Sequence, residues 1–299
     1  FDEITIHWAF RWTAATGVLP LPALPGVTAQ QVVTGISGDG QTVIGFHSGI
    51  PYNAWRWTAS GGTEPFGGDW AVQGISANGE MAVGSAQAGM HVWTAAAGHV
   101  TVPTPAGWIG VGAQDASADG TVAVGVLTTA GLGHNAFRWT AAEGFRVLPQ
   151  AQAESFAWAA AERGKLIVGW IGPGTNVAAC AWTDNGRAVD LKQYFVESGI
   201  PLGSAVLTQA LGVSADGRTI AGTGSGGMWV ARVPATLACY ANCDGSAAAP
   251  ALNVNDFVCF LNRYAAGDTW ANCDGSTAPP VLGVMDFVCF WNRFMAGCL

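Results

Sequence analysis

"GISGDGQTVIG" runs from Gly35 to Gly45. Two short apolar stretches flank an Asp39-Gly40 step, and Asp-Gly is favoured where a tight hairpin needs positive φ at both central residues. The phrase returns as "GISANGEMAVG" from Gly74, "DASADGTVAVG" from Asp115, "AAAERGKLIVG" from Ala159 and "GVSADGRTIAG" from Gly212. A second phrase alternates with it: "AFRWTAATGVLPLP" at Ala9, "AWRWTASGGTEPF" at Ala54, "HVWTAAAGHVTVP" at His91, "AFRWTAAEGFRVLP" at Ala136 and "CAWTDNGRAVD" at Cys180, with a last echo, "MWVARVP", at Met228. Trp12, Trp57, Trp93, Trp139, Trp182 and Trp229 mark the beat at gaps of 36 to 47 residues.

Each repeat reads as four short strands. A Trp strand leads through a Gly turn to a strand such as "GVLPLP"; a third strand ends in "GIS", and a two-residue turn leads to "TVIG". A four-stranded unit of roughly 40–45 residues cannot bury both faces alone, so neighbours stack as propeller blades do. The expected fold is mainly β, a β-propeller-like array of about five four-stranded antiparallel blades over residues 1–234. A parallel β-helix is the rival, but its coils are shorter and lack antiparallel Asp-Gly hairpins. The fourth repeat lacks the Asp-Gly step. The fifth carries an insertion, "LKQYFVESGIPLGSAVLTQA" from Leu191, whose Leu191, Tyr194 and Phe195 spacing predicts a short helix. Six Trp strands bracket five sets, which leaves one strand over. Either "ITIHWAFRWT" closes the array beside "MWVARV", or it pairs with an edge on another copy.

The turn aspartates recur once per repeat at a turn position and read as structural. The tryptophans fill the gaps between blades, and any exposed ones are candidates for stacking on sugar. His7, His47, His91, His99 and His134 scatter without ligand spacing and read as surface or inter-strand residues.

Half of the 299 residues are apolar and 11% are charged, with 42 glycines. No apolar run approaches the roughly 20 residues that span a bilayer. A net charge of −8 argues against nucleic acid and against an anionic membrane surface. The sequence opens on Phe1 and is read as a mature form or a fragment, so secretion is judged from the cysteines. Six of seven lie between Cys239 and Cys298, the mark of a disulfide framework made in an oxidising, extracellular setting. Zinc is the competing reading, but that region has no CxxC pair and no His.

The same region, 235–299, is a duplication: "ANCDGSAAAPALNVNDFVCF" from Ala241 and "ANCDGSTAPPVLGVMDFVCF" from Ala271. Side-chain oxygens alternate at Asn242, Asp244 and Ser246, then recur at Asn253 and Asp256 before a short helix, Asp256 to Gly267. This is how calcium loops place their ligands. The second copy offers Asn272, Asp274, Ser276 and Asp286, and has Gly283 in place of Asn253. A metal-free disulfide knot is the alternative. Since equivalent repeats fold alike, Cys243 should bridge to Cys259 and Cys273 to Cys289. That leaves Cys239 and Cys298 to clasp the ends.

The phrases of residues 9–234 resemble the bacterial extracellular repeats known as HAF repeats, which imply an exported β-repeat protein and no reaction. Residues 239–298 resemble a dockerin, in particular the Cys-bracketed type that closes in Gly-Cys in planctomycete-like bacteria. The resemblance implies calcium binding and docking onto a cohesin-like partner, with Val254, Asn255, Val284 and Met285 as partner-binding residues. Each loop is about three residues longer than the usual twelve, with Asn and Ser where further aspartates are usual.

The expected function is a non-catalytic extracellular structural or adhesion protein. Its head is attached through this module to a cohesin-like protein or to copies of itself, in the latter case as a fibre subunit. A carbohydrate-binding head is the alternative. A glycoside hydrolase would need two carboxylates across a cleft, and the acids outside turns and loops recur in no motif.

Overall fold

The computed structural model describes residues 9–49, 52–87, 89–149, 154–183, 188–233, 237, 239–246, 250, 252–274, 276 and 279–297. The chain divides into two compact units, Phe1–Val147 with Phe156–Arg163, and Leu148–Ser155 with Gly164–Leu299. The boundary expected at 234/235, and most of the amino-terminal strand expected to close the array, fall outside the described residues.

The first unit opens with a hairpin, β1 (Phe10–Thr13) and β2 (Gly17–Pro20). Three four-stranded sheets follow: β3 (Gln31–Ile36), β4 (Thr42–His47), β5 (Asn53–Thr58) and β6 (Gly62–Asp69); β7 (Ala71–Ile75), β8 (Met81–Ala86), β9 (Gly89–Thr94) and β10 (Gly98–Pro103); β11 (Gly110–Ala116), β12 (Ala123–Thr128), β13 (His134–Thr140) and β14 (Gly144–Val147). Strand β15 (Ser155–Ala160) lies where the division into units falls along the chain. In the second unit lie β16 (Leu166–Ile171), β17 (Ala178–Thr183), β18 (Ala188–Asp190), a helix α1 (Leu191–Glu197) and a three-stranded sheet of β19 (Leu207–Val213), β20 (Thr219–Gly224) and β21 (Gly227–Arg232). The protein is thus mainly β, and its sheets are meanders of successive strands.

The sheets begin on the "GIS" strand, with the Trp strand third, so the repeat is shifted by two strands from the grouping expected above. The first strand bulges in the first three phrases and in the fifth, between Val33 and Gly35, Val72 and Gly74, Ala113 and Asp115, and Ala210 and Gly212. This bulge explains the closing glycine of the phrase. A Cβ on Gly45 would lie 2.1 Å from the Val32 carbonyl oxygen, and one on Gly84 2.0 Å from that of Ala71.

The turn also departs from the expected two-residue hairpin. Gly40 donates its N–H to the Ser37 carbonyl at 2.9 Å, and only the glycine, at φ 67°, is left-handed; Asp39 is not. Asp39 keeps ordinary φ because its side chain organises the loop. Its Oδ1 accepts from Ser37 Oγ at 2.6 Å and from the Gln41 N–H at 2.9 Å, while Ser37 Oγ accepts from the Thr42 N–H at 2.9 Å. Ser76 with Asn78, Ser117 with Asp119 and Ser214 with Asp216 repeat the arrangement. The Ser37 hydroxyl and the Gln41 N–H hold the Asp39 carboxyl below its ordinary pKa.

The turns also join successive sheets. Gly38 N–H donates to the Ala77 carbonyl at 2.8 Å, Asn78 N–H to that of Ala118 at 3.1 Å, and Asn78 Nδ2 to that of Asp119 at 2.9 Å. Between the sheets lie apolar clusters such as Ile44, Trp70, Val72 and Ile75, then Met81, Val83, Val111 and Phe137. Each fully buried side chain of this kind contributes about 1.5–3 kcal/mol. Of the beat tryptophans only Trp182 is fully buried; Trp57 and Trp93 are half-buried, and an arginine covers each. Two histidines that looked scattered meet: His91 Nδ1 lies 2.7 Å from His99 Nε2, and both rings stack on Trp70. Burial lowers both imidazole pKa values. Asp115 stands where other phrases have Gly35, Gly74 and Gly212, and its Oδ2 accepts from the Ala160 N–H at 3.2 Å. Burial outweighs that bond and pushes its carboxyl up to about 7.

In the second unit α1 forms as its spacing predicts. Asp190 Oδ1 caps it by accepting from the Gln193 N–H at 3.0 Å, and Leu191, Tyr194 and Phe195 are buried. Cys180, on β17, is a buried free thiol opposite Asp190, and burial with that charge raises its pKa. No helix among the described residues is long and apolar enough to cross a membrane.

Candidate metal centre and docking face

Two helices, α2 (Val254–Ala265) and α3 (Val284–Ala296), carry the duplicated module. Each begins two residues before the Asp-Phe step at which the sequence placed its start, because the aspartate is a capping residue. Asp256 Oδ2 accepts from the Asn253 N–H at 2.8 Å, and Asp286 Oδ2 from the Gly283 N–H at 2.7 Å. Such reciprocal caps satisfy N–H groups that the first helical turn leaves without partners.

Phe260 and Phe290, both fully buried, stack across the two copies at 4.2 Å. Around them the copies exchange side chains. Arg263 of the first lies over Trp270 of the second at 4.6 Å, and Arg293 of the second over Tyr240 of the first at 4.7 Å. Tyr240 and Trp270 themselves stack at 4.7 Å, and the Tyr240 hydroxyl donates to the Trp270 carbonyl at 2.8 Å. Sequence reading missed these four residues, although their offset of thirty was a signal.

The disulfides Cys243–Cys259 and Cys273–Cys289 tie each loop to its own helix, as repeat equivalence predicts. Cys239 is also disulfide-bonded, while Cys298, its expected partner, lies outside the described residues.

The candidate calcium ligands form the same network twice. Asp244 N–H donates to Asp256 Oδ1 at 3.1 Å, and Asp274 N–H to Asp286 Oδ1 at 3.2 Å. Asp244 Oδ1 accepts from the Ser246 N–H at 2.8 Å, and Asp274 Oδ1 from that of Ser276 at 2.9 Å. Asn242 Nδ2 donates to the Ser246 carbonyl and Asn272 Nδ2 to the Ser276 carbonyl, at 3.1 and 2.8 Å. Asn253 is engaged as a cap, its Oδ1 accepting from the Asn255 N–H at 2.8 Å. Each loop therefore brings two carboxylates and an asparagine together and directs Asn253, or Gly283, to the helix.

Burial, then the nearby Asp244 carboxyl, pushes Asp256 up to about 6, although the N–H groups of Asn253 and Asp244 act the other way. The Ser276 N–H and hydroxyl hold Asp274 below its ordinary value. Asn272 Oδ1 is buried without a hydrogen-bond partner. Paired carboxylates beside an unsatisfied amide oxygen fit a hard cation such as calcium in donor type. Among the described residues no group of three or more acidic, His or Cys side chains converges.

The helices also expose apolar side chains. Val254, Val258 and Leu261 line one face of α2, and Val284, Val288, Trp291 and Met295 the matching face of α3; Met285 and Phe287 are exposed beside them. Val254 is 69% and Val284 75% accessible. Leu261, next in sequence to the buried Phe260, belongs to this outer face.

No protein-family model matches the chain. No curated protein matches it in sequence. Among solved structures it is similar to TolB from Acinetobacter baumannii, at 14% identity and a TM-score of 0.42, over 58% of this chain and 45% of that one. It is also similar to a protein assigned as TolB from Agrobacterium tumefaciens (13%, 0.46, over 75% and 83%). A third is the β-propeller domain of Cps50 (Swd1) from Myceliophteria thermophila (11%, 0.43, over 69% and 68%). The chain thus spans less than half the length of the Acinetobacter protein.

Proposed function

We propose that the chain is a non-catalytic extracellular structural or adhesion protein. Residues 1–234 are its propeller-like head, with the three-stranded β19–β21 sheet counting as the fifth blade. Residues 239–298 are a dockerin-like module, closed by disulfides and by calcium, that docks onto a cohesin-like partner or onto another copy. The observation that carries this reading is the twice-displayed apolar face of α2 and α3. Single exposed apolar residues need no explanation, but contiguous stripes rimmed by polar residues mark interaction sites. Calcium would be held by Asp244 with Asp256 and by Asp274 with Asp286, together with the oxygens of Asn242 and Asn272. It would offset the repulsion between each carboxylate pair and fix the loop against its helix. The disulfides add weight to the secreted reading, because such bonds persist in oxidising compartments.

The test is binding by the full chain, with and without calcium, to a panel of cohesin modules and to itself, measured by calorimetry and by light scattering. The double variant Val254→Asp, Val284→Asp should abolish association while leaving thermal unfolding unchanged. A chain that stays monomeric, binds no cohesin and takes up no calcium would sink the proposal. Binding on a glycan array that persists in the variant would move the function to the head.

A further inference from the structure

Strands β1, β5, β9 and β13 are equivalent, and so are the residues just before their tryptophans: Arg11, Arg56, Val92 and Arg138. At the first step, Arg11 places its guanidinium 5.6 Å from the ring centre of Trp57 and donates from Nε to the Gly40 carbonyl at 3.2 Å. At the second, Arg56 lies 4.8 Å from the ring centre of Trp93, held by Glu64 at 3.0 Å. At the third step the arginine is missing. Val92 stands in its place, the ring is Trp139, and the turn glycine equivalent to Gly40 is Gly120. Val92, Trp139 and Gly120 together line a cavity of about 580 Å³, with Met81, Thr94 and Glu143 on its other walls. A similar groove of about 510 Å³ lies beside Arg11 and Gly40 at the first step, so the third groove differs in having Val92 where the first has a cation.

We propose that this cavity binds the guanidinium of an arginine side chain presented by another polypeptide. The indole face of Trp139 supplies the π surface, which attracts a cation through the ring quadrupole. Glu143 adds a carboxylate at the rim, where it also lies 3.8 Å from Arg146. Arg138 contributes to the wall as well, but along β13 its side chain alternates with that of Trp139 and leaves the opposite face of the strand. The walls otherwise offer apolar side chains and threonine hydroxyls, few partners for the many hydroxyls of a sugar. An incoming arginine would take the same two neighbours, ring and turn glycine, that Arg11 takes one step earlier. The inference does not depend on calcium or on the terminal module.

The experiment uses the full chain labelled with 5-fluorotryptophan and followed by ¹⁹F NMR, with the Trp139 resonance assigned by Trp139→Phe. It is titrated with Nα-acetyl-arginine amide and, separately, with the neutral and nearly isosteric Nα-acetyl-citrulline amide. The Trp139 resonance should respond saturably to the arginine probe, at about tenfold lower concentration than to citrulline. Val92→Arg, which restores the missing residue, should shift the resonance without ligand and end the response to arginine. Equal responses to the two probes would refute the proposal, as would a folded Val92→Arg chain that still responds. Should that variant fail to fold, the arginine–citrulline comparison on the unaltered chain decides alone. A response to cello-oligosaccharide and not to arginine assigns the cavity to sugar and overturns it too.

Discussion

The backbone N–H of Arg163 donates to Oδ1 of Asp119 at 3.0 Å, across the interval between two repeats. Arg163 occupies the place of the turn Asp or Asn in the one phrase that has neither, and lies in the left-handed region at φ 56°. Asp119 therefore holds two turns: its own, through Ser117 Oγ and Thr121 Oγ1 at 2.8 Å each, and the aberrant one. Burial raises its carboxyl pKa, but the Arg163 N–H and the two hydroxyls outweigh that and hold it low. Asp119→Ala should cost about 1–3 kcal/mol and clearly more than Asp39→Ala, which serves one turn. Chemical denaturation of the two variants makes the comparison, and equal losses would contradict it.

Ser117 is fully buried, and its Oγ accepts from the Val122 N–H at 3.0 Å. Ser117→Ala leaves that backbone donor unmatched inside the sheet and should destabilise the head by about 1–3 kcal/mol. The fourth phrase has Ala161 there and a different turn, so the loss should fall when the Ala161 phrase is grafted in whole. Thermal melts of the single variant and the graft would show it.

Asp115 gives the head a pH dependence whose sign is fixed. Its folded pKa, about 7, lies above the ordinary carboxyl value of 3.8, so the folded state holds the proton more tightly. Its contribution is fully present below about pH 4 and is lost as the pH rises through about 7. Asp115→Asn, which keeps an acceptor for the Ala160 N–H, should flatten the fall in melting temperature over that window. An unchanged slope would show that another group titrates there.

Calcium at a hundredfold excess over its Kd should stabilise the terminal module by about 2.7 kcal/mol. Asp244→Asn and Asp274→Asn should each remove roughly one of two uptakes, because both loops repeat the hydrogen bonds among Asn242, Asp244, Ser246 and Asp256 and among Asn272, Asp274, Ser276 and Asp286. Calorimetry that finds no uptake by the unaltered chain leaves the disulfide knot as the reading.

Cys180 should resist alkylation in the native state and react on unfolding, since it is buried and its raised pKa disfavours the thiolate. Reduction should loosen the module around α2 and α3 and leave β1–β14 intact. Peptide mapping after mild reduction reads both outcomes.

Strand periodicity and turn residues made the β-repeat legible in the sequence, and the offset of thirty made two disulfides legible as well. The phase of the repeat was not, because a tandem array has no intrinsic starting strand. The turn type was misread because an Asp-Gly step suits two geometries. Ser37, two residues upstream, decides between them by bonding Asp39, and its counterparts Ser76, Ser117 and Ser214 were there to be read. Helix starts were misplaced because Asp256 and Asp286 look alike as ligands and as caps. The Arg56–Trp93 and His91–His99 contacts depend on how sheets and strands align in space, which spacing along the chain does not disclose.

The turn-to-turn hydrogen bonds carry one more consequence, for how such a gene changes length. Gly38 meets Ala77, and Asn78 meets Ala118, through carbonyls at equivalent places in successive phrases. Deleting one whole period by unequal recombination would bring Gly38 opposite the carbonyl of Ala118, an acceptor of the same kind on the same sort of turn. Since each sheet is built from contiguous chain, such an event cuts no sheet in two. Gain or loss of whole periods is therefore the change this head tolerates best, and relatives should differ in period number before they differ in the wording of a period.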